Sequence, residues 1–218
     1  MYLSATGINV ILGHIKQFID DPEITDSGVG ILIACISELP EETVAMKFME
    51  KGVPAMMKQI LGLPESRNAA IVSVLNLFYL LSLFSNTHQT FVEEKLFHLI
   101  VGKMQNFSER AHSEITDSCF SEIVLCFQIV INFCGNPNMR EVLIDLNVVL
   151  KMNAIFRKYS EVNFLSEIFV SSLKKITETY DGVIFLRNCF LDLHEICQFA
   201  ITSCNILLIN QTRFFLTR

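Results

Sequence analysis

Apolar residues recur along most of the chain at the three- and four-residue spacing that places side chains on one face of a helix. No run of alternating apolar and polar residues, the pattern of a half-buried strand, stands out. The pattern therefore predicts an all-α protein. The first apolar face, within residues 8–19, consists of Ile8, Ile11, Leu12, Ile15 and Ile19.

Proline, glycine and asparagine divide this pattern into short and long helices. Pro22 and Pro137 suit the first turn of a helix, because proline has a fixed φ and lacks the N–H that this position leaves unused. Residues 106–117 are the most polar segment and are predicted to form an exposed loop, and residues 210–218 a tail. The predicted helices cover residues 8–19, 22–39, 41–51, 53–63, 64–84, 87–94, 96–105, 118–134, 137–146, 148–159, 163–180, 181–187 and 189–209.

One short motif recurs between these helices: an apolar residue, three residues of mixed type, a turn residue that is usually Gly or Asn, and a second apolar residue. Gly and Asn suit the turn because they tolerate the left-handed backbone that ends a helix. The turn residues are spaced by 45, 43, 52 and 41 residues. A period of roughly 40–47 residues is typical of armadillo and HEAT repeats. The predicted turn residues are Gly7, Gly52, Lys95, Asn147 and Asn188.

The most complete copy of the motif lies within residues 132–150. Its residues Gly135, Asn136, Pro137, Arg140, Leu143 and Asn147 resemble the armadillo turn Gly-Asn-Pro-x-x-Arg-x-x-Leu-x-x-x-Gly. Residues 20–23 resemble the loop that opens the third helix of such a repeat, whereas Lys95 departs from the Gly or Asn of the turn. The resemblance implies a right-handed α-α superhelix, an armadillo-like solenoid of about four to five repeats. An unrelated helical bundle is the alternative.

On this interpretation residues 1–209 form a single armadillo-like repeat domain that is incomplete at its ends. The composition agrees with a packed protein, since 51% of the residues are hydrophobic and 18% are charged. The net charge is −6 and no Lys- or Arg-rich stripe occurs, so we expect no nucleic-acid partner. All seven Cys lie among apolar residues, which favours buried thiols in a reducing, cytoplasmic or nuclear compartment.

Residues 69–92 contain no Asp, Glu, Lys or Arg and raise the question of a membrane span. Their continuous apolar part, residues 69–84, is shorter than the roughly 20 residues that a span needs, so a buried helix is expected instead. The chain has no phosphate-binding glycine loop, no Gly-x-Ser-x-Gly motif and no paired Cys-x-x-Cys motifs. We therefore expect neither an enzyme nor a metal or cofactor site.

A solenoid lines an extended concave surface with its third helices, and such surfaces bind segments of partner proteins. Armadillo import receptors use a ladder of Trp and Asn there. Asn132 lies at the ladder position, but the equivalent positions hold Ser37, Leu80 and Leu173, and the chain has no Trp. The ladder is absent, and an import receptor is rejected. The polar residues expected on the concave face are Asn76, Gln128 and Asn132.

The leading hypothesis is a non-enzymatic scaffold that holds a partner protein through Asn76, Gln128 and Asn132. These amides are equally compatible with buried groups that bond to a neighbouring loop. A second hypothesis is a structural piece of a longer repeat array that binds nothing itself. A third is an enzyme whose site residues are dispersed along the chain.

Overall fold

The computed structural model describes residues 5–63, 68–110, 117–159, 163–179, 181–189, 194 and 201. Within these residues the chain forms α-helices, short 3-10 turns and connecting loops, and no strand. The all-α prediction is confirmed. The helices are α1 (Ala5–Gln17), α2 (Pro22–Glu38), α3 (Glu42–Glu50), α4 (Val53–Leu61), α5 (Asn68–Ser82), α6 (His88–Glu93), α7 (Leu96–Glu109), α8 (Asp117–Cys134), α9 (Arg140–Asp145), α10 (Val148–Lys158), α11 (Asn163–Thr179) and α12 (Gly182–Asn188).

The chain divides into two compact units. The first comprises Met1–Lys103 with Ala111–Ile129, and the second comprises Met104–Arg110 with Val130–Arg218. In the first unit α2 packs along α5, α1 packs on α2, and α4 packs on α5. The side chains between α2 and α5 are fully buried, because each helix presents an apolar face there. They include Val29, Leu32, Ile36, Val74 and Phe78.

The second unit is built from α9 to α12, in which each helix packs against the next. Phe156 and Phe169 stack with their ring centroids 4.4 Å apart and join α10 to α11. Phe107, near the end of α7, packs on Tyr159 with a centroid separation of 5.1 Å. Offset and tilted ring pairs of this kind stabilise a core beyond the burial of their area. The aromatic side chains therefore tie the short helices of this unit together.

Several predicted helix boundaries are confirmed by capping contacts. Asp21 caps α2, since its side chain accepts hydrogen bonds from the N–H groups of Glu23 at 3.0 Å and Ile24 at 3.2 Å. Asn136 opens the 3-10 turn Pro137–Met139, which continues into α9, and its side chain accepts from the N–H of Asn138 at 3.1 Å. The caps satisfy backbone donors that the first turn of a helix leaves unpaired.

Three of the five predicted turn residues adopt the same left-handed conformation. Their φ angles are 84° at Gly52, 60° at Lys95 and 53° at Asn147. The N–H of each donates to the carbonyl three residues earlier, at 3.2, 2.9 and 2.9 Å respectively. The carbonyl of each accepts from the N–H four residues later, at 3.2, 3.3 and 3.1 Å. The same turn thus joins a short helix to the next helix at three places in the chain.

The side chains around these three turns are also equivalent. Four residues before each turn lies a fully buried apolar residue, and the residue immediately after the turn is fully buried as well. Both anchor the turn to the core, which explains why even Lys95 accepts a left-handed backbone that costs roughly 1–2 kcal/mol for a non-glycine residue. The anchors are Phe48, Phe91 and Leu143 before the turns, and Val53, Leu96 and Val148 after them.

Two predicted turns are wrong. Gly7 lies inside α1 (Ala5–Gln17), where the backbone is helical, so no break separates residues 5–7 from the helix that follows. Asn188 is the last residue of α12 and has no positive φ. The apolar spacing around Gly7 fits a continuing helix as well as a turn, and sequence alone does not distinguish the two. At Asn188 the helix does end at the predicted residue, but without the left-handed backbone.

The predicted loop at residues 106–117 is wrong at both ends. α7 continues to Glu109 and α8 begins at Asp117, while residues 111–116 lie outside the described part of the chain. The burial of Phe107 against Tyr159 holds the last turn of α7 in place. Lys158 also donates from its Nζ to the carbonyl of Ser108 at 2.8 Å and to that of Arg110. A tertiary contact therefore lengthens a polar helix end that its own sequence would leave frayed.

Other predictions fall on residues that the structure does not describe. The helix predicted for residues 64–84 is described from Asn68 onwards. Most of the helix predicted for residues 189–209, and the tail at 210–218, lie outside the described residues. The single-domain prediction for residues 1–209 stays a prediction.

Candidate partner-binding residues

Asn76 lies on the half-exposed face of α5. One turn earlier on this helix, the hydroxyl of Ser73 donates to Asp26 Oδ1 of α2 at 2.5 Å, so α2 and α5 share a polar edge. Leu80 follows Asn76 by one turn and is half-buried, and Ser37 of α2 is exposed. Asn76 is therefore partly exposed, between a polar residue and an apolar residue of the same helix.

Gln128 and Asn132 lie one turn apart on α8 and are both half-buried. Residues four apart in a helix lie on the same face, so both amides share one side of α8. Asn76 lies on a different helix, α5. The structure thus places two of the three predicted residues side by side on one helix face and places the third on another long helix.

Asn132 is followed after one turn by Gly135, where the chain passes close to α11. A Cβ at Gly135 would lie 2.8 Å from Cε of Lys175 and 3.3 Å from the carbonyl oxygen of Asn132. The side chain of Lys175 therefore crosses over the end of α8, and Lys175 is exposed. A lysine side chain therefore lies beside Gly135, at the end of α8.

Sequence reasoning missed Lys175. It lies 43 residues after Asn132 and follows no motif that would mark it. Only the packing of α11 against the end of α8 brings Lys175 close to Gly135. Leu173, which the sequence pattern predicted to be equivalent to Asn132, is buried at 1% exposure and offers no polar group to a partner.

The end of α5 carries a buried polar cluster that sequence reasoning also missed. His88 is 1% exposed, and its Nε2 lies 2.7 Å from the carbonyl oxygen of Ser82. The hydroxyl of Thr87 lies 2.9 Å from the carbonyl oxygen of Leu81 and 2.8 Å from that of Phe84. Burial lowers the pKa of His88, opposed by its hydrogen bond to Ser82, so the ring is neutral at pH 7 and donates from Nε2. The cluster satisfies carbonyls at the carboxyl end of α5 and has a structural role.

The described cysteines are free thiols. Cys126, Cys134 and Cys189 are fully buried, and burial raises the pKa of each to about 12. A thiol must ionise to act as a nucleophile, so these three are unreactive at neutral pH. Cys35 and Cys119 are partly exposed, and Cys197 and Cys204 lie outside the described residues.

Among the described residues, no group of three or more His, Cys, Asp or Glu side chains is arranged to hold a metal ion. In the same part of the chain no single helix is long and apolar enough to cross a membrane. Two bent pairs reach the length and composition together: Ala70–Ser82 with Ser85–Glu93, bent by 114°, and Cys119–Cys134 with Pro137–Asp145, bent by 108°.

The three predicted amides are therefore partly exposed and lie on two long helices, Asn76 on α5 and both Gln128 and Asn132 on α8. Such groups donate hydrogen bonds to carbonyl and carboxylate oxygens, and the amides also accept them. No family model, no curated protein and no solved structure matches this chain.

Proposed function

We propose that this protein is a non-enzymatic, armadillo-like repeat scaffold that binds a segment of a partner protein. The observation that carries the proposal is the turn shared by Gly52, Lys95 and Asn147, with the same backbone conformation and the same hydrogen bonds. A left-handed turn alone is common at helix ends, but unrelated helices have no reason to place fully buried residues at the same positions around it, at spacings of 43 and 52 residues. A repeated supersecondary unit has such a reason.

Each proposed repeat contains a short helix, a middle helix after the shared turn, and a long helix. The three complete repeats are α3–α5, α6–α8 and α9–α11, and α1–α2 and α12 belong to the repeats on either side. One such triplet has too little core to bury its own apolar face, so the triplets stack in a row and cover one another. The long helices then line a common groove.

Asn76, Gln128 and Asn132 lie on two of these long helices, α5 and α8. An amide offers both a donor and an acceptor, so each residue can bond to the N–H and C=O groups of an extended peptide. The side chain of Lys175 lies beside Gly135, at the end of the helix that carries Asn132, and its cation favours a partner segment with a carboxylate there. We also propose a cytoplasmic or nuclear setting, which the free buried thiols support.

The groove is testable without knowledge of the natural partner. A displayed library of random peptides is selected against the full chain, and the enriched peptides are titrated against the wild type and the Asn132→Arg variant. We expect Asn132→Arg to weaken binding by about tenfold or more, because it replaces a hydrogen-bonding amide with a longer, charged side chain. Asn76→Arg and Gln128→Arg should weaken the binding of the same peptides.

Asn9→Arg is the matched control, since Asn9 is an exposed asparagine within a helix and lies on α1. It should leave every affinity unchanged. Melting curves must show that all four variants are folded. If the selected peptides bind the Asn132→Arg, Asn76→Arg and Gln128→Arg variants as tightly as the wild type, the binding groove does not lie on these helices.

A further inference from the structure

The first two helices carry a concentration of exposed apolar side chains. The exposed fractions are 55% for Val10, 39% for Phe18, 40% for Ile24 and 50% for Ile31. Single exposed apolar residues are ordinary on a protein surface, but a group on one pair of packed helices marks a binding surface. This surface belongs to the first unit and lies on α1 and α2.

Between α1 and α2, two of these side chains, Ile24 and Ile31, line an open cavity of about 410 Å³. Its walls are mainly apolar and include Ile11, Ile15, Ile24 and Ile31. This volume falls within the roughly 300–1,000 Å³ of typical ligand clefts, so there is room for the side chains of a partner. We call this cavity and its apolar walls the α1–α2 groove.

The floor of the α1–α2 groove is tightly packed. A Cβ at Gly28 would lie 2.6 Å from Cγ1 of Ile15, so the absence of a side chain at Gly28 allows α1 and α2 to approach closely. The hydroxyl of Thr25 also donates to the carbonyl of Phe18 at 3.2 Å and ties the end of α1 to α2. The groove is therefore preformed, which lowers the entropic cost of binding.

The walls follow helical spacing on both sides. Ile11 and Ile15 lie one turn apart along α1, and Ile24 and Ile31 lie two turns apart along α2. Two such rows accept a third helix whose apolar residues repeat at three- and four-residue intervals. An extended peptide, with side chains that alternate, does not match this spacing.

One end of the α1–α2 groove is acidic. Asp20, Asp21 and Glu23 are exposed in the connection between the helices and in the first turn of α2. The whole stretch from residue 5 to residue 38 contains five carboxylates and one lysine, Lys16. A partner helix with Lys or Arg near the end of its apolar face complements this charge. A second copy of this chain does not, since it would bring two acidic ends together.

We propose that the α1–α2 groove binds a basic, amphipathic helix of a partner protein. The apolar face of that helix packs against Ile24 and Ile31, and its basic residues lie beside Asp20 and Glu23. The residues of this groove are different from the amides on α5 and α8. A negative result for one proposed binding site therefore leaves the other unaffected.

The probe is a labelled synthetic peptide of about 18 residues, with Leu at helical spacing on one face and Lys on the other. Two matched peptides are a scrambled isomer and a version in which Glu replaces every Lys. Titration of the full chain is followed by fluorescence anisotropy. We expect the basic helix to bind about tenfold tighter than either matched peptide, and to bind more weakly as salt is raised from about 50 to 200 mM.

Ile31→Glu should weaken the binding of the basic peptide by about tenfold or more, because the substitution places a charge in the apolar wall. Leu83→Glu is the matched control, since Leu83 is 53% exposed, against 50% for Ile31, and lies after α5. The double variant Asp20→Asn, Glu23→Gln should reduce both affinity and salt dependence. It leaves Asp21, the cap of α2, in place.

Equal binding of the basic and scrambled peptides would overturn the proposal, and so would equal binding of the acidic peptide. A loss of affinity with Leu83→Glu as large as that with Ile31→Glu would also overturn the proposal. Sedimentation of the wild type and Ile31→Glu supplies a further check. A dimer that Ile31→Glu dissociates would identify the occupant as a second copy and exclude the basic helix.

Discussion

Replacement of Phe91 by alanine should lower the free energy of unfolding by about 3–5 kcal/mol, the usual cost of removing a fully buried phenylalanine. Phe91 is 0% exposed and lies four residues before the turn at Lys95. Its ring centroid is 4.2 Å from that of Phe78, which is also 0% exposed. The substitution leaves a cavity and breaks the ring contact between α6 and α5. Chemical denaturation followed by circular dichroism measures the change.

Phe18→Ala supplies a matched control, since the residue types are identical and Phe18 is 39% exposed. It should cost no more than about 1.5 kcal/mol, because less area is removed from the core. In the double variant Phe91→Ala, Phe78→Ala, the cost should differ from the sum of the two single variants by about 1 kcal/mol, the coupling between the two rings. A Phe91→Ala cost below that of Phe18→Ala would show that α6 is not anchored as described.

Acidification from pH 7.5 to pH 5 should destabilise the protein in part through His88. Burial lowers the folded-state pKa of His88 below its ordinary value of 6.5, so the unfolded chain binds a proton that the folded chain does not. This contribution to stability is present above pH 6.5 and is lost as the pH falls from there toward the folded-state pKa. One proton changes the free energy of unfolding by at most about 1.4 kcal/mol per pH unit.

The measurement is the free energy of unfolding as a function of pH for the wild type and His88→Gln. Glutamine does not titrate, so the difference between the two proteins should shrink as the pH falls below 6.5. Parallel curves for the wild type and His88→Gln would contradict the buried, neutral His88.

Much of the helical architecture follows from local sequence. The caps at Asp21 and Asn136 and the turns at Gly52 and Asn147 are determined by residues within one helical turn, so they are predictable. Lys95 is more informative, because its identity argues against a left-handed turn. Its position in the repeat predicted one correctly, which shows that the anchors on either side outweigh the preference of the turn residue itself.

The error at the end of α7 has a physical cause that local sequence does not show, which is contact between distant parts of the chain. The end of α7 is helical because Phe107 and the carbonyl of Ser108 meet Tyr159 and Lys158, about 50 residues later. The candidate surface shows the same limit. Helical spacing predicted that Gln128 and Asn132 share a face, but the position of Lys175 near Gly135 depends on how α11 packs. The α1–α2 groove was missed because spacing does not reveal which apolar side chains stay exposed.

The central claim is that the three triplets stack in a row, and distances between equivalent residues test it most directly. Glu50, Glu93 and Asp145 each lie two residues before a shared turn and are exposed. Spin labels attached there through a ketone-bearing amino acid, which spares the native cysteines, give three pairwise distances by pulsed electron paramagnetic resonance. We expect the 50–145 distance to exceed each of the other two by about 8–10 Å, one interhelix spacing. A 50–145 distance no longer than the 50–93 and 93–145 distances would contradict the stacked arrangement.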